Sequence, residues 1–366
     1  MTKHLIGTAL CLALAACNSN GTGQSPDQPT ASAEADNDGA DSMASQDDAT
    51  APPEDQPRPL MQAQVMLDRA GFSPGVVDGR MSLPTRNAVM GFQQAMNLPQ
   101  TGDFDDATRR ALVGVQKEVP ATRLVTIPAD FAAGPFAPLP QDAVAKSKLP
   151  ALGYASLEEK LAERFHTTPE VLRALNAGAD PATQQPAAYS AGQTIRVPNV
   201  GADFIDPART ENPAWAATLA SLGVGTNAPP AARIVVSKGE GTLKAFDADG
   251  KLIGLFTVTT GSERDPLPLG RWKILAVDRN PKFHYNPKLF WDVSDAKPDA
   301  MLPPGPNSPV GVVWIDLSKE HYGIHGTTEP ASIGHTESHG CVRLTNWDAA
   351  RLAGMVSTKT QVDFVA

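Results

Sequence analysis

Residues 325–344 read HGTTEPASIGHTESHGCVRL, and this stretch holds three histidines and a cysteine. A free thiol ionises near pH ~8.5 and is only a few per cent thiolate at neutrality, so a nucleophilic Cys341 needs a histidine to take its proton. His325 is the candidate base. It ends a strand-like run, Tyr322-Gly323-Ile324-His325, and Cys341 begins another, so adjacent strands would bring the two within hydrogen-bond reach. Gly326 follows His325, so the local partner for the second ring nitrogen is a backbone carbonyl. Gly340 lets the main chain approach a substrate closely, and the N–H groups of His339, Gly340 and Cys341 are candidates for stabilising an oxyanion. Ser338, Arg343 and Gly326 are the candidate substrate contacts; Arg343 alternates with Cys341 and would face the same way, suited to a carboxylate.

A zinc site drawn from His321, His325, His335, His339 and Cys341 is the competing use of the same side chains. Their spacings fall in Gly-, Thr- and Pro-broken strands and loops, where positions four apart do not share a face, so no metal or cofactor is expected. His335, between Gly334 and Thr336, reads as a loop or substrate-edge residue, and His339 as part of the loop that presents the sulfur.

The elements that must position these groups are short strands. Arg233 to Val236, Leu243 to Phe246, Leu252 to Thr259, Arg271 to Val277, Val312 to Leu317, His321 to His325 and Cys341 to Leu344 are candidates, with Asp249-Gly250 as a hairpin turn. Thr345 or Asn346 caps one helix, Trp347 to Val356, and Gln361 to Val365 closes the domain, which gives a mostly β domain with one late helix over 231–366.

This region resembles the YkuD-type L,D-transpeptidase catalytic domain. The resemblance is carried by His325-Gly326-Thr327, Ser338-His339-Gly340-Cys341-Val342-Arg343-Leu344, Thr260-Gly261 with Pro266-Leu267-Pro268-Leu269-Gly270, and Leu302-Pro303-Pro304-Gly305-Pro306. Leu267 departs from the Thr common between these prolines. The resemblance implies that the Cys341 thiolate attacks the carbonyl of the third, diaminopimelate, residue of a peptidoglycan tetrapeptide and that D-Ala leaves. A second diaminopimelate, a lipoprotein lysine or water then takes the acyl group. Carbapenems would acylate the same sulfur. The alternatives are an L,D-carboxypeptidase on the same stems and a non-catalytic wall-anchoring lipoprotein. A general cysteine peptidase is disfavoured, since the helix-borne nucleophile of papain-like enzymes has no counterpart.

Two further modules are expected upstream. Residues 57–115 show three short helical pieces and an internal repeat in which Gly79, Thr85, Arg86, Ala88 and Val89 recur as Gly102, Thr108, Arg109, Ala111 and Leu112. With Gly71-Phe72, Pro74-Gly75, Val77-Asp78-Gly79 and Phe92-Gln93, they resemble the peptidoglycan-binding type 1 domain, a small three-helix fold. After a linker at 116–150, residues 151–199 carry a Ser156/Glu159 capping box, then Thr168-Pro169 opening a second helix, then a strand at Thr194 to Val197. Two helices and a strand resemble a small α+β LysM-like module, although its opening strand is not evident. A second linker covers 200–230.

Residues 1–16 have Lys3, an apolar core and small residues before Cys17; Leu14-Ala15-Ala16-Cys17 resembles the lipobox of bacterial lipoproteins. That implies lipidation of Cys17 and stable membrane attachment through several acyl chains. Of three cysteines, Cys11 would leave with the signal and Cys17 would be acylated, which leaves Cys341 with no disulfide partner. Residues 17–56 form an acidic Ser/Ala/Pro/Gly tether without Lys or Arg, and its excess of acid matches the whole chain's net charge of -9. The remainder is near neutral, which speaks against nucleic-acid binding. The expected location is the periplasm, lipid-anchored; Asn18 replaces the Asp that can retain lipoproteins in the inner membrane, which favours the outer one. The expected partners are peptidoglycan stems and glycan, the membrane, and a wall-linked lipoprotein as acyl acceptor.

Overall fold

The structure is a computed structural model that describes residues 56–176, 188–201, 205–289, 293–294, 296–338 and 340–366. The expectation at Cys17 and, apart from Gln56, the tether lie outside the described residues.

The first helices are α1 (Pro59–Arg69), α2 (Leu83–Ala95) and α3 (Asp106–Val115). Ser82 and Asp105 cap the second and third by accepting from the amides of Thr85 and Thr108. The internal repeat has a physical content. Buried Gln64 accepts from the Gly79 amide at 2.7 Å and donates to Thr85 Oγ1 at 2.9 Å; buried Gln93 does the same for Gly102 at 3.0 Å and Thr108 at 2.9 Å. Each glutamine thus ties one helix to the glycine turn and the capped start of the next. Gly79 and Gly102 have φ of 74° and 73°, which explains why glycine recurs there.

The middle region differs from the expected linker-plus-module division. Strand β1 (Thr122–Thr126) lies inside 116–150 and pairs antiparallel with β2 (Thr194–Pro198), from Thr122↔Pro198 to Thr126↔Thr194. Between them come the short helices α4 (Ala129–Ala132) and α5 (Ala143–Ser147), then α6 (Leu157–Arg164) and α7 (Pro169–Leu175). Leu161, Phe165 and Leu172 of the helical segments pack with Ile195 and Val197 of β2 and with Val125 and Ile127 in one core. The Pro and Ala around Thr122–Thr126 masked a five-residue strand whose partner lies far along the chain. Ser156 and Thr168 cap their helices as expected.

The second expected linker, 200–230, also contains structure. Asn212 caps α8 (Pro213–Leu222) and Gly223 ends it at φ 64°; Trp215, Leu219 and Leu222 are buried. Burying such side chains contributes about 1.5–3 kcal/mol each, so this segment belongs to the core.

The C-terminal region contains β3 (Arg233–Ser237), β4 (Thr242–Phe246), β5 (Leu252–Thr257), β6 (Gly270–Arg279), β7 (Phe283–Tyr285) and β8 (Ala300–Leu302). They are followed by β9 (Val313–Leu317), β10 (Gly323–His325), β11 (Val342–Arg343), α9 (Asn346–Met355) and β12 (Gln361–Val365). The large sheet runs β11-β10-β9-β6-β12-β3-β4-β5, and β7 with β8 makes a separate hairpin. Trp347 and Leu352 of α9, fully buried, pack into the same core as Ile234, Phe256, Ile315 and Ile324.

The modules share buried seams. The helical domain covers edge strand β5: Ser73 N donates to Leu255 O at 2.9 Å, Leu255 N donates to Gly71 O at 3.2 Å, and Phe72 and Phe92 pack with Leu252 and Leu255. That occupies an edge that would otherwise offer unpaired backbone groups. Deeper in, Asp68 of α1 takes two hydrogen bonds from Arg351 of α9, at 2.8 and 2.7 Å, and one from His166 Nδ1 at 3.2 Å. His166 Nε2 meets Leu222 O at 2.9 Å, and its ring stacks on Trp347 at 5.0 Å. Burial pushes the Asp68 carboxyl up, but the Arg351 and His166 charges and hydrogen bonds more than reverse this, holding it well below the usual carboxylate range.

Candidate active site

Strands β10 and β11 run side by side in parallel, with Ile324 opposite Val342 and His325 opposite Arg343. Ile324 and Val342 are fully buried in the core, so the alternate positions face the other way. His325, Arg343 and Cys341 therefore share one face, and all three line a cleft of about 680 Å³. The second edge of β11 is held by Thr259, which exchanges backbone hydrogen bonds with Arg343 at 3.1 and 2.9 Å. Trp314 of β9 pairs with His325, completing the floor with Asp278 and Asp316.

His325 is buried at 5% exposure and Nδ1 donates to Gly326 O at 2.7 Å, the backbone carbonyl partner that the sequence predicts. With the Nδ1 proton so engaged, Nε2 carries the lone pair of a base. Burial, then the charge of Arg343, holds His325 down to about 4 against the pull of the Gly326 bond, so the ring is neutral at pH 7. Burial pushes the Cys341 thiol up, while an N–H from Gly323 and the charge of Arg343 draw it back. At neutral pH the pair is a thiol beside a neutral imidazole. The S–H of Cys341 points to His321 O at 3.8 Å; no hydrogen bond joins it to His325 among the described residues.

The remaining expected residues are divided. Gly340 is buried with φ 104°, and a Cβ there would lie 2.7 Å from the Tyr322 ring, so glycine is required both by conformation and by the aromatic neighbour. His339 lies outside the described residues. Ser338, expected to contact substrate, is instead buried, and its hydroxyl donates to Cys341 O at 2.6 Å, shaping the turn before the strand. Gly326 is likewise behind the cleft: a Cβ would meet Asn346 Oδ1 at 2.2 Å, and its carbonyl orients His325. His335 is exposed on a turn and does not line the cleft, whereas His321 does, at φ 65°. Among the described residues no three of His, Cys, Asp and Glu converge as metal ligands.

Sequence reasoning missed Trp314, Tyr322 and Asn346. Trp314 stacks on His325 with centroids 5.5 Å apart and planes 21° apart, in space left because Gly323 has no side chain; a Cβ on Gly323 would lie 2.5 Å from the indole. The Trp/Gly/His set on neighbouring strands was present as types, but their proximity depends on the β9/β10 register.

Fold and site define a mostly β domain whose cleft gathers a cysteine, a neutral histidine and an arginine, joined to helical modules. A family profile described as "L,D-transpeptidase catalytic domain" matches residues 231–364, and one described as "Putative peptidoglycan binding domain" matches 58–112. Two relatives carry the name "Putative L,D-transpeptidase YkuD". The Bacillus licheniformis protein is 30% identical over 56% of this chain and 90% of its own length. The Bacillus subtilis protein is 33% identical over 35% of this chain, which spans 63% of that relative. Among solved structures, Mycobacterium tuberculosis L,D-transpeptidase 3 in complex with a faropenem-derived adduct matches at 18% identity, TM-score 0.31, over 37% of this chain and 61% of its own. The catalytic domain of the E. faecium L,D-transpeptidase acylated by ertapenem matches at 20% identity, TM-score 0.29, over 37% of this chain and 97% of its own. The chain belongs to the YkuD L,D-transpeptidase family.

Proposed function

We propose that this protein is an L,D-transpeptidase acting on peptidoglycan tetrapeptide stems through a Cys341 thioacyl intermediate. The observation that carries the reading is the parallel β10/β11 pair, on which His325, Cys341 and Arg343 face one cleft. His325 Nε2 takes the S–H proton as sulfur attacks the carbonyl of the third stem residue, giving a tetrahedral oxyanion. Backbone N–H groups of the 339–341 loop stabilise that oxygen. The C–N bond then breaks, the imidazolium returns its proton to the leaving D-Ala amine, and a thioester remains. An acceptor amine gives its proton to His325 as it attacks the thioester, and the sulfur leaves, reprotonated by the imidazolium. Arg343 holds a substrate carboxylate. Acceptors are a second diaminopimelate, giving a 3-3 cross-link, or a lipoprotein lysine.

The helical domain and the LysM-like region bind the wall and raise the enzyme's effective concentration there. Cys17 is lipidated and the tether of roughly 39 residues, with a typical span of about 35 Å, leaves the folded part within reach of the wall from the outer membrane. Incubating the protein with a disaccharide tetrapeptide and following masses tests the reading: loss of D-Ala with a dimer marks transpeptidation, loss of D-Ala to free tripeptide marks water as the acceptor. Neither D-Ala release nor an adduct on Cys341 would sink it.

A further inference from the structure

Glu163 of α6 is buried at 6% exposure and does not line the cleft. It reaches the catalytic domain all the same. Its Oε2 accepts from Tyr154 at 2.9 Å, and its Oε1 accepts from Asn346 Nδ2, also at 2.9 Å. Asn346, the first residue of α9, has no exposure at all. Its other Nδ2 hydrogen goes to Pro306 O at 3.1 Å, and its Oδ1 accepts from Val312 N at 3.3 Å.

One amide therefore pins both ends of the 306–312 loop. The middle of that loop supports the base: Gly326 N donates to Val310 O at 3.1 Å, and Gly326 O is the acceptor for His325 Nδ1 at 2.7 Å. Asn346 Oδ1 also sits in a cradle of two glycines, where a Cβ on Gly311 or Gly326 would lie at 2.0 or 2.2 Å. An amide side chain can flip, exchanging donor and acceptor ends. A carboxylate only accepts, so Glu163 adds to Pro306 O and Val312 N in favouring the orientation that turns NH2 to the middle module and oxygen to Val312 N. With the flip reversed, the NH2 would face the Val312 N–H and the oxygen would face the carboxylate.

We propose that Glu163 is a positioning residue for the base His325, acting from outside the catalytic domain through the Asn346 amide and the Gly326 peptide. The proposal rests on the transpeptidase reading for its kinetic consequence, but not for its structural one. Burial pushes the Glu163 carboxyl up to about 7, so the test is run at pH 8, where it is ionised.

Full-length wild type, Glu163→Met and Glu163→Gln are compared by two readouts. One is the tautomer of His325, read from histidine 15N shifts; the other is kcat and KM for D-Ala release. Wild type should hold the Nδ1–H tautomer. Glu163→Met should give averaged His325 shifts and lower kcat roughly tenfold with KM within about twofold, as expected for a misplaced catalytic group. Glu163→Gln keeps an acceptor for Asn346 and should restore both readouts. Wild-type shifts and kcat in Glu163→Met, or an equal defect in a well-folded Glu163→Gln, would overturn the proposal. Should Glu163→Met show no cooperative melt, Asn346→Ala removes the same link from the other side, and wild-type behaviour there overturns it equally. If wild type itself releases no D-Ala, the transpeptidase reading fails while the tautomer comparison still decides the role of Glu163.

Discussion

Two histidines among the described residues are buried and stacked on a tryptophan, and their ring nitrogens are met differently. His166 lies over Trp347 at 5.0 Å with planes 10° apart; His325 lies against Trp314 at 5.5 Å and 21°. His166 faces an acceptor at each ring nitrogen, Asp68 on one side and Leu222 O on the other, and has no exposure. His325 has one nitrogen engaged by Gly326 O and its ring at a cleft shared with a thiol. Burial and aromatic stacking therefore do not by themselves distinguish the proposed base from His166. The difference is one nitrogen left uncommitted, in a place that substrate can reach.

Kinetics should separate the two rings most widely. Cys341→Ala is expected to abolish D-Ala release, and His325→Gln to lower kcat by about 10²–10⁴, the usual contribution of a general base. His166→Gln, assayed well below its melting temperature, should keep kcat within about threefold of wild type. A loss as large as that of His325→Gln in folded protein would make the distinction untenable.

Stability should reverse the ranking. Asp68→Ala leaves Arg351 and His166 facing each other without their carboxylate; breaking a buried pair costs about 3–5 kcal/mol, read from urea unfolding. Cys341→Ala should move the same midpoint by less than about 1 kcal/mol.

The pH profile sharpens the contrast. Because His325 is held down to about 4, the base form persists below the ordinary histidine range, and kcat/KM should survive from pH 7 to about 5 and fall as pH approaches 4. Removing the Arg343 charge relieves a repulsion on imidazolium, so Arg343→Gln should move that acid limb upward, toward the ordinary value near 6.5. An acid limb already at 6.5 in wild type would contradict the burial argument.

The smallest effect concerns the seam. A carboxyl raised to about 7 in the folded state binds a proton there that the unfolded chain has already lost, so between its ordinary value and about 7 its contribution to stability declines as pH rises. Glu163→Gln removes that decline. Its stability relative to wild type should grow by about 2–3 kcal/mol from pH 5 to pH 8, and a constant difference across that range would count against it.

Much of this organisation is local and was legible. Capping at Ser156 and Thr168 predicted two helices, and the strand-like runs that end at His325 and open at Cys341 correspond to the paired strands β10 and β11. The helix α8 carried signals too, Asn212-Pro213 at one end and Gly223 at the other, but its Ala-rich interior read as linker. Strand β1 had no such signal, since a five-residue strand is defined by its partner, and β2 lies some seventy residues away. Ser338 and Gly326 looked like substrate contacts because they sit beside the nucleophile and the base in sequence; in space both turn inward.

The sequence alone determined which residues could do chemistry here, because the ordered run from His325 to Leu344 and the cap and turn signals depend on near neighbours. Only the tertiary structure decided what each ring nitrogen meets. A ring's role follows from what meets each nitrogen and how much water is excluded, and those partners, Gly326 O and Arg343 for one ring, Asp68 and Leu222 for the other, are brought in by strand register and module packing.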